Sequence, residues 1–345
     1  MSTARRTALA VLLSVSALPA GAGPVLEVVA KVALPGPATW DYLHVDGVNH
    51  RLYVAHGAQT EVIDTRSNQR VGTVSDTPGV RAIAVAADLG LGFTSNGKAD
   101  SVTVFDLATL ARKAAIAVGS GPDAIVYVPA HQRVLVFNAR SHDITVIDAR
   151  AGRVLATVPA GGEPETAALG ADGLVRFNVE NTHELVVFDP GAMAVVRRHS
   201  LRPCERPTGL AIDPQGRVAS VCRNGLLMLT AAEGQPLGAA RVGRGSDGVA
   251  WLDGLAYSAD GADGTVSVVG AGAAGGFETL AVWPSAYGSR TIAADPAARR
   301  LYLPAATFRP AEGAGRRQPV ADTMSVWVLE PGAADTAPRG PAPGP

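Results

Sequence analysis

Arg51-Leu52-Tyr53-Val54-Ala55 and, one short polar loop later, Glu61-Val62-Ile63-Asp64 are two brief apolar runs, each too short for a helix. Their β-branched and aromatic residues mark them as a pair of strands. The pair recurs: Gly92 to Asn96 is followed by Val104-Phe105-Asp106, and Val134 to Asn138 by Val146-Ile147-Asp148. Upstream of each pair lies another apolar run (Tyr42 to Val45, Ala82 to Val85, Ala124 to Val128). Downstream lies a more polar one, such as Arg153-Val154-Leu155-Ala156-Thr157-Val158. The starts of the first strands fall at Asp41, Arg81, Asp123, Glu165, Thr208, Asp247 and Arg290, spaced by 40, 42, 42, 43, 39 and 43 residues. Four short antiparallel strands in a unit of about 40 residues make a propeller blade. The 3.6-residue period that a helical repeat would need is absent. The chain is therefore expected to be all-β, a seven-bladed β-propeller.

The seventh unit is one strand short. After Val326-Trp327-Val328-Leu329 the chain passes Pro331-Gly332 into a Pro/Ala/Gly tail, residues 333–345, expected to be disordered. At the other end, Val25-Leu26-Glu27-Val28-Val29-Ala30-Lys31-Val32 has the character of an outer strand. It is expected to complete the last blade and so hide a sheet edge; an open solenoid would leave it without a role. Ahead of it, Arg5-Arg6, the apolar run Ala8 to Ala17 and Ala20-Gly21-Ala22 read as a secretory signal peptide over residues 1–22. The propeller then occupies 23–332, and the expected location is periplasmic or secreted.

Composition narrows the partners. With 39 Gly, 24 Pro and 5% aromatics, the chain suits many short strands joined by turns. A net charge of −1 and no Lys/Arg run beyond short pairs give no case for nucleic acid. No later stretch reads as a membrane span, and a monomer is expected. In an exported chain Cys204 and Cys222 are expected to form a disulfide rather than remain buried thiols. It would close a loop of about 17 residues, worth ~3 kcal/mol. Without Cys-x-x-Cys spacing, stapling is expected and not redox catalysis.

The Leu-Tyr-Val-Ala core at Leu52 to Ala55, with Val62-Ile63-Asp64 after it, resembles the YVTN repeat of YncE-like propeller proteins. Units 4 to 6 depart most, at Arg176-Phe177-Asn178 and Val221-Cys222. The resemblance spans essentially the whole chain after the leader and implies the scaffold, not an activity.

In a propeller the first strands line a central channel. The loops between blades share one face with the turns joining second and third strands. The seven starts, Asp41, Arg81, Asp123, Glu165, Thr208, Asp247 and Arg290, are thus expected to ring one channel mouth. Second-strand ends add His56, Asn96, Asn138, Asn178, Cys222, Ser258 and Ala305 beside them. Turn chemistry and channel water explain such a set structurally, yet a concave polar mouth is also the usual ligand site. The longest insertion, Ala306 to Asp322, brings Arg309, Arg316 and Arg317 over the ring, where they would clamp an anion or stay solvated.

No Gly-x-Ser-x-Gly elbow, His-Glu-x-x-His or Gly-rich phosphate loop is present. The expected function is a binding scaffold for an unknown ligand or protein partner, without a cofactor. The alternative is a metal-dependent, lactonase-like hydrolase. Ser246-Asp247-Gly248 resembles the Asp-Gly segment that carries a metal ligand in gluconolactonase-type propellers. Pro207-Thr208-Gly209-Leu210 resembles their Asn-Gly segment, with Thr208 in place of the Asn. Thr208 removes an amide oxygen from that ligand set, and Glu165, Asp123 and Asn138 would have to compensate beside Asp247 for calcium to bind. Trp40, Trp283, Tyr287 and the insertion arginines would make only a small patch for single-stranded nucleic acid.

Overall fold

The aspartates that end the repeated third strands show how one blade is built. Gln59–Asp64, Ser101–Asp106, Asp143–Asp148 and Glu184–Asp189 each bury their four central residues. Oδ1 of Asp64, Asp106, Asp148 and Asp189 then accepts the backbone N–H groups two and three residues on. Such Asx turns satisfy the turn's donors locally and start the fourth strand. The outcome in the computed structural model, which describes residues 25–272, 275–311 and 316–332, is seven four-stranded antiparallel sheets arranged as a propeller. The expected leader and tail lie outside the described residues.

Blades 1 to 6 follow chain order from the channel outward, over residues 40–74, 80–117, 122–159, 164–200, 207–241 and 246–284. Blade 7 runs Ala293–Asp295, Arg300–Ala305, Ser325–Pro331 and, outermost, the N-terminal strand Leu26–Ala33. The expected closure is present. Val32 lies opposite Val326, Lys31 opposite Trp327 and Val28 opposite Leu329, and the Lys31 ammonium sits 4.1 Å above the Trp327 ring. Leu26, Val32 and Leu34 bury their side chains, so the segment adds core as well as ladder bonds.

The core lies between neighbouring sheets. Phe137 of blade 3 meets Phe177 of blade 4 at 5.0 Å between ring centroids, and Tyr53 of blade 1 meets Phe105 of blade 2 at 5.9 Å. Arginines at or next to the starts of second strands staple four blades to their next neighbours. Arg51 Nη1 donates to Leu107 O at 2.6 Å, Arg176 Nε to Ala232 O at 3.1 Å, and Arg133 to the carbonyls of Pro190 and Gly191. Arg300 Nη1 donates to Thr65 O at 2.8 Å, repeating this staple across the joint between blades 7 and 1.

Cys204 and Cys222 are bridged, with Cα atoms 5.5 Å apart. The bond ties the loop before blade 5 to the mouth end of its second strand, and both residues are buried. Among the described residues no helix is long and apolar enough to cross a membrane.

Candidate functional site

A repeated irregularity aims the ring. In blades 1 to 5 the first strand gains one residue over its partner just after its first pair. Trp40 pairs with His56 but Leu43 with Val54, and Pro122 pairs with Asn138 but Ile125 with Val136. Blades 2, 4 and 5 do the same, and a similar shift falls between Ser246 and Gly248 in blade 6. A bulge re-aims the side chains beside it, and the bulged residues include Asp41, Arg81, Asp123, Glu165, Thr208 and Asp247. Arg290 holds the matching place ahead of the shorter first strand of blade 7.

Six of these seven form one electrostatic group. Arg81 Nη1 donates to Asp41 Oδ2 at 2.6 Å. Arg290 bridges Asp247 (Nε to Oδ2, 3.1 Å) and the Trp40 carbonyl (Nη2, 2.9 Å), and lies 3.9 Å from Asp41. Burial raises the Asp41 carboxyl even against the charges of Arg290 and Arg81. Asp123 is pushed up to about 7, first by burial and then by the charge of Asp41, which Arg81 opposes. Its Oδ1 is buried and finds no partner in the protein. Glu165 is raised well above the carboxylate range by burial, then by Asp123, Asp247 and Glu180. Burial works against the Glu180 charge, but bonds from Arg223 and Arg206 outweigh it and hold that carboxyl low. Thr208 is the exception. Its hydroxyl is fully buried and donates to Ser246 O at 3.0 Å, so it joins blade 5 to blade 6 and does not face the mouth.

Beneath the ring the channel is nearly closed. Thr166 Oγ1 donates to the Tyr42 hydroxyl at 2.9 Å, joining blades 1 and 4, and the axial cavity is only about 170 Å³. Gly209 and Gly248 line the same cavity, where first strands crowd together. A Cβ on Gly209 would stand 2.7 Å from Asp247 O, and one on Gly248 2.9 Å from Thr291 Cα. Burial, followed by the charges of Asp247, Glu165, Asp123 and Asp41, keeps the Tyr42 phenol protonated. Burial likewise lowers the His44 pKa, so that ring is neutral. The mouth is thus a dish with a hydrogen-bonded floor.

The expected second ring is not a surface. His56, Asn96, Asn138, Asn178, Cys222, Ser258 and Ala305 are all buried. Asn96 and Asn138 each donate at 2.9 Å to a threonine of their own third strand, Thr103 and Thr145. Asn178 donates to Thr208 O at 2.9 Å and accepts from Ser220, locking blade 4 to blade 5. His56 donates to Pro37 O at 2.6 Å through Nε2, and its Nδ1 lies 3.6 Å from Glu61. Pairing shows that Asn178 and Ser258 fall one and two positions short of their register place, which Val179 and Asp260 hold. Asp260 was missed. It collects the hydroxyls of Ser246, Ser258 and Ser267 at 2.6–2.8 Å. The signal was the Gly that follows it, as one follows His56 and Asn96.

The insertion leans on the rim as a small hairpin, Phe308–Arg309 against Gln318–Pro319. Phe308 packs on Trp40 and Tyr287, at 6.2 and 5.1 Å, and Arg317 stacks 4.4 Å over Tyr287. Trp283 lies elsewhere, 6.4 Å from Trp327, so the aromatic patch is smaller than the one read from the sequence. The calcium set fits poorly. Asp247 is held by Arg290, burial and acidic neighbours disfavour the charge on Glu165, and the Asn138 amide oxygen, though unpartnered, is buried inside blade 3. Among the described residues no group of three or more His, Cys, Asp or Glu side chains is placed to hold a metal ion.

Neither a protein-family model nor a curated protein matches the sequence. Solved structures do match in shape. A chain of Kuenenia stuttgartiensis hydrazine synthase superposes with a TM-score of 0.69 at 17% identity, covering 89% of this chain and 98% of that one. U3-55K gives 0.70 at 10% identity, covering 88% and 98%. The WD40 repeats of RRP9 give 0.71 at 10% identity, covering 90% and 99%. At these identities what is shared is the fold, a seven-bladed β-propeller spanning nearly the whole of each matched chain.

Proposed function

We infer that this chain is an exported, YncE-like propeller that binds a small polar ligand or partner group at its channel mouth, without catalysing a reaction. The leader-like residues 1–22 support export to the periplasm or beyond, and the Leu52–Ala55 and Val62-Ile63-Asp64 phrases support the kinship. The observation that carries the binding reading is the pair Asp123 and Glu165. Asp123 holds a buried oxygen with no donor in the protein, and burial together with Asp123, Asp247 and Glu180 disfavours the charge on Glu165. A buried acceptor left unmet costs ~1–3 kcal/mol. A ligand bringing N–H or O–H donors into the dish would recover that energy.

A thermal-shift screen of amines, polyols, carboxylic acids and calcium chloride tests this, run on the wild type and on Asp123→Asn/Glu165→Gln. Donor-bearing compounds that stabilise the wild type should lose most of that shift in the variant. Equal shifts in both proteins would overturn the reading. A shift confined to calcium, and erased by Asp247→Ala, would favour the hydrolase instead.

A further inference from the structure

The mouth is not uniform. Its acids without a cation, Asp123 and Glu165, belong to blades 3 and 4. Over blades 7, 1, 2 and 3 lies a separate cavity of about 340 Å³ with Arg81, Lys98, Arg140 and Arg290 in its wall, beside Trp40 and Asp41. Three of its wall positions are the glycines 57, 79 and 97, so much of its lining is bare backbone.

Those glycines help to place the cations. A Cβ on Gly79 would stand 2.5 Å from Lys98 Cγ, and one on Gly97 3.1 Å from Arg81 Nε. The Lys98 and Arg81 stems therefore lie flat against glycine backbone in positions that any larger residue would contest. Arg140 lies in the same way over Gly121 and reaches Gly97 O and Asp100 Oδ1, both at 3.0 Å.

Their donors are only partly spent. Arg81 uses Nη1 on Asp41, and Arg290 uses Nε and Nη2, leaving other guanidinium N–H groups of each uncommitted. Among the described residues Lys98 forms no ion pair, unlike the three arginines. The wall holds four cations and one acid, Asp41; Asp100 and Asp247 pair with Arg140 and Arg290 from outside it and Asp123 acts on Arg81, which leaves Lys98 as the cation without a carboxylate.

We propose that this off-axis cavity is an oxyanion site, taking the carboxylate or phosphate of a small ligand through Lys98, Arg140, Arg81 and Arg290. The proposal rests on the mouth being a ligand site and adds the chemistry of one end of that ligand. Forked guanidinium donors suit a two-oxygen acceptor, and an ammonium without a carboxylate adds charge where no internal partner competes.

The probes are inorganic phosphate and succinate, each at about 10 mM near pH 7, against sodium chloride of equal ionic strength. Either oxyanion should raise the wild-type Tm by about 2 °C over the chloride control. Lys98→Met and Arg140→Met, both surface changes, should each lose at least half of that rise, and Lys98→Arg should keep it. Succinate alone acting assigns a carboxylate, phosphate alone a phosphate, and both a general oxyanion site. No rise with either probe, or a rise that survives both Met variants, would overturn the proposal. Asp123→Asn/Glu165→Gln leaves these four cations in place. No oxyanion shift in the wild type, with donor-type ligands stabilising the wild type and losing that shift in the variant, therefore sinks the cavity and spares the mouth; oxyanion shifts equal in both proteins, with donor-type shifts also equal in both, do the opposite.

Discussion

Removing the staple of blade 5 offers a test whose size can be worked out. The Cys204–Cys222 bond spans 18 positions, and the chain-entropy relation assigns a loop of that length about 3 kcal/mol at 25 °C. The two residues sit among Leu185, Leu201, Leu210, Val218 and Met228. Cys204→Ala/Cys222→Ala therefore also empties the volume of two sulfur atoms, a further loss of about 1 kcal/mol. A total near ~4 kcal/mol in a chain of this size corresponds to a fall in Tm of about 6 °C. Calorimetry of the wild type and the double variant, in buffer free of reductant, reads it directly. Guanidinium unfolding should also give a larger m-value for the variant, because its unfolded chain expands. A stability loss below about 1 kcal/mol would refute the entropic reasoning. Free thiols titrating in the native wild type would refute the bond itself.

Three further perturbations separate mouth from scaffold. Asp123 carries a folded-state pKa near 7 against an ordinary value of 3.8. The native state thus holds an extra proton between these values, and the stability tied to it is full below the lower one and lost as pH rises through the upper one. Asp123→Asn should be more stable than the wild type by on the order of 1–2 kcal/mol near pH 8 and by far less near pH 4; a gap constant with pH in paired thermal melts would contradict this. Asn138→Ala removes donors to Asp143 and Thr145 inside blade 3. It should cost about 1–3 kcal/mol in urea unfolding while leaving mouth ligands bound as before. Arg300→Met and Arg51→Met cut equivalent staples, one at the ring closure and one at an internal joint. Each should cost about 1–2 kcal/mol, and a closure variant many times worse than its counterpart would mean that the joint is not an ordinary one.

The scaffold was legible because period-2 strands and a constant spacing are local facts of a sequence. Val104-Phe105-Asp106 announces both a buried strand and the turn after it, since the aspartate oxygen caps that turn. The outer strand at Leu26–Ala33 was legible by elimination, one unit lacking a strand and one strand lacking a unit. Side-chain direction was not. Asn96 and Asn138 stand at the mouth end of their strands, as the repeat implies, yet each points into its own blade because a threonine one strand away accepts its amide. Whether a polar residue at a strand end faces solvent or a partner depends on the neighbouring strand's register, which spacing alone does not contain. Thr208 shares its repeat position with four carboxylates and two arginines and still turns inward, because Ser246 O lies 3.0 Å away. The bulges that aim the ring leave no residue signature, since Asp41-Tyr42 and Asp123-Ala124 share little beyond the acid. The cavity of Lys98 and Arg140 is built across four blades, and only the folded ring brings these residues together.

Hydrogen exchange across the closing joint tests the propeller most directly. Peptides covering residues 25–33 and 325–331 should exchange at the pace of the outer two strands of blades 1 and 6, since each is the other's ladder partner. Exchange of residues 25–33 at the rate of unstructured chain, with blade 6 still protected, would show the ring unclosed, and the mouth built on that ring would go with it.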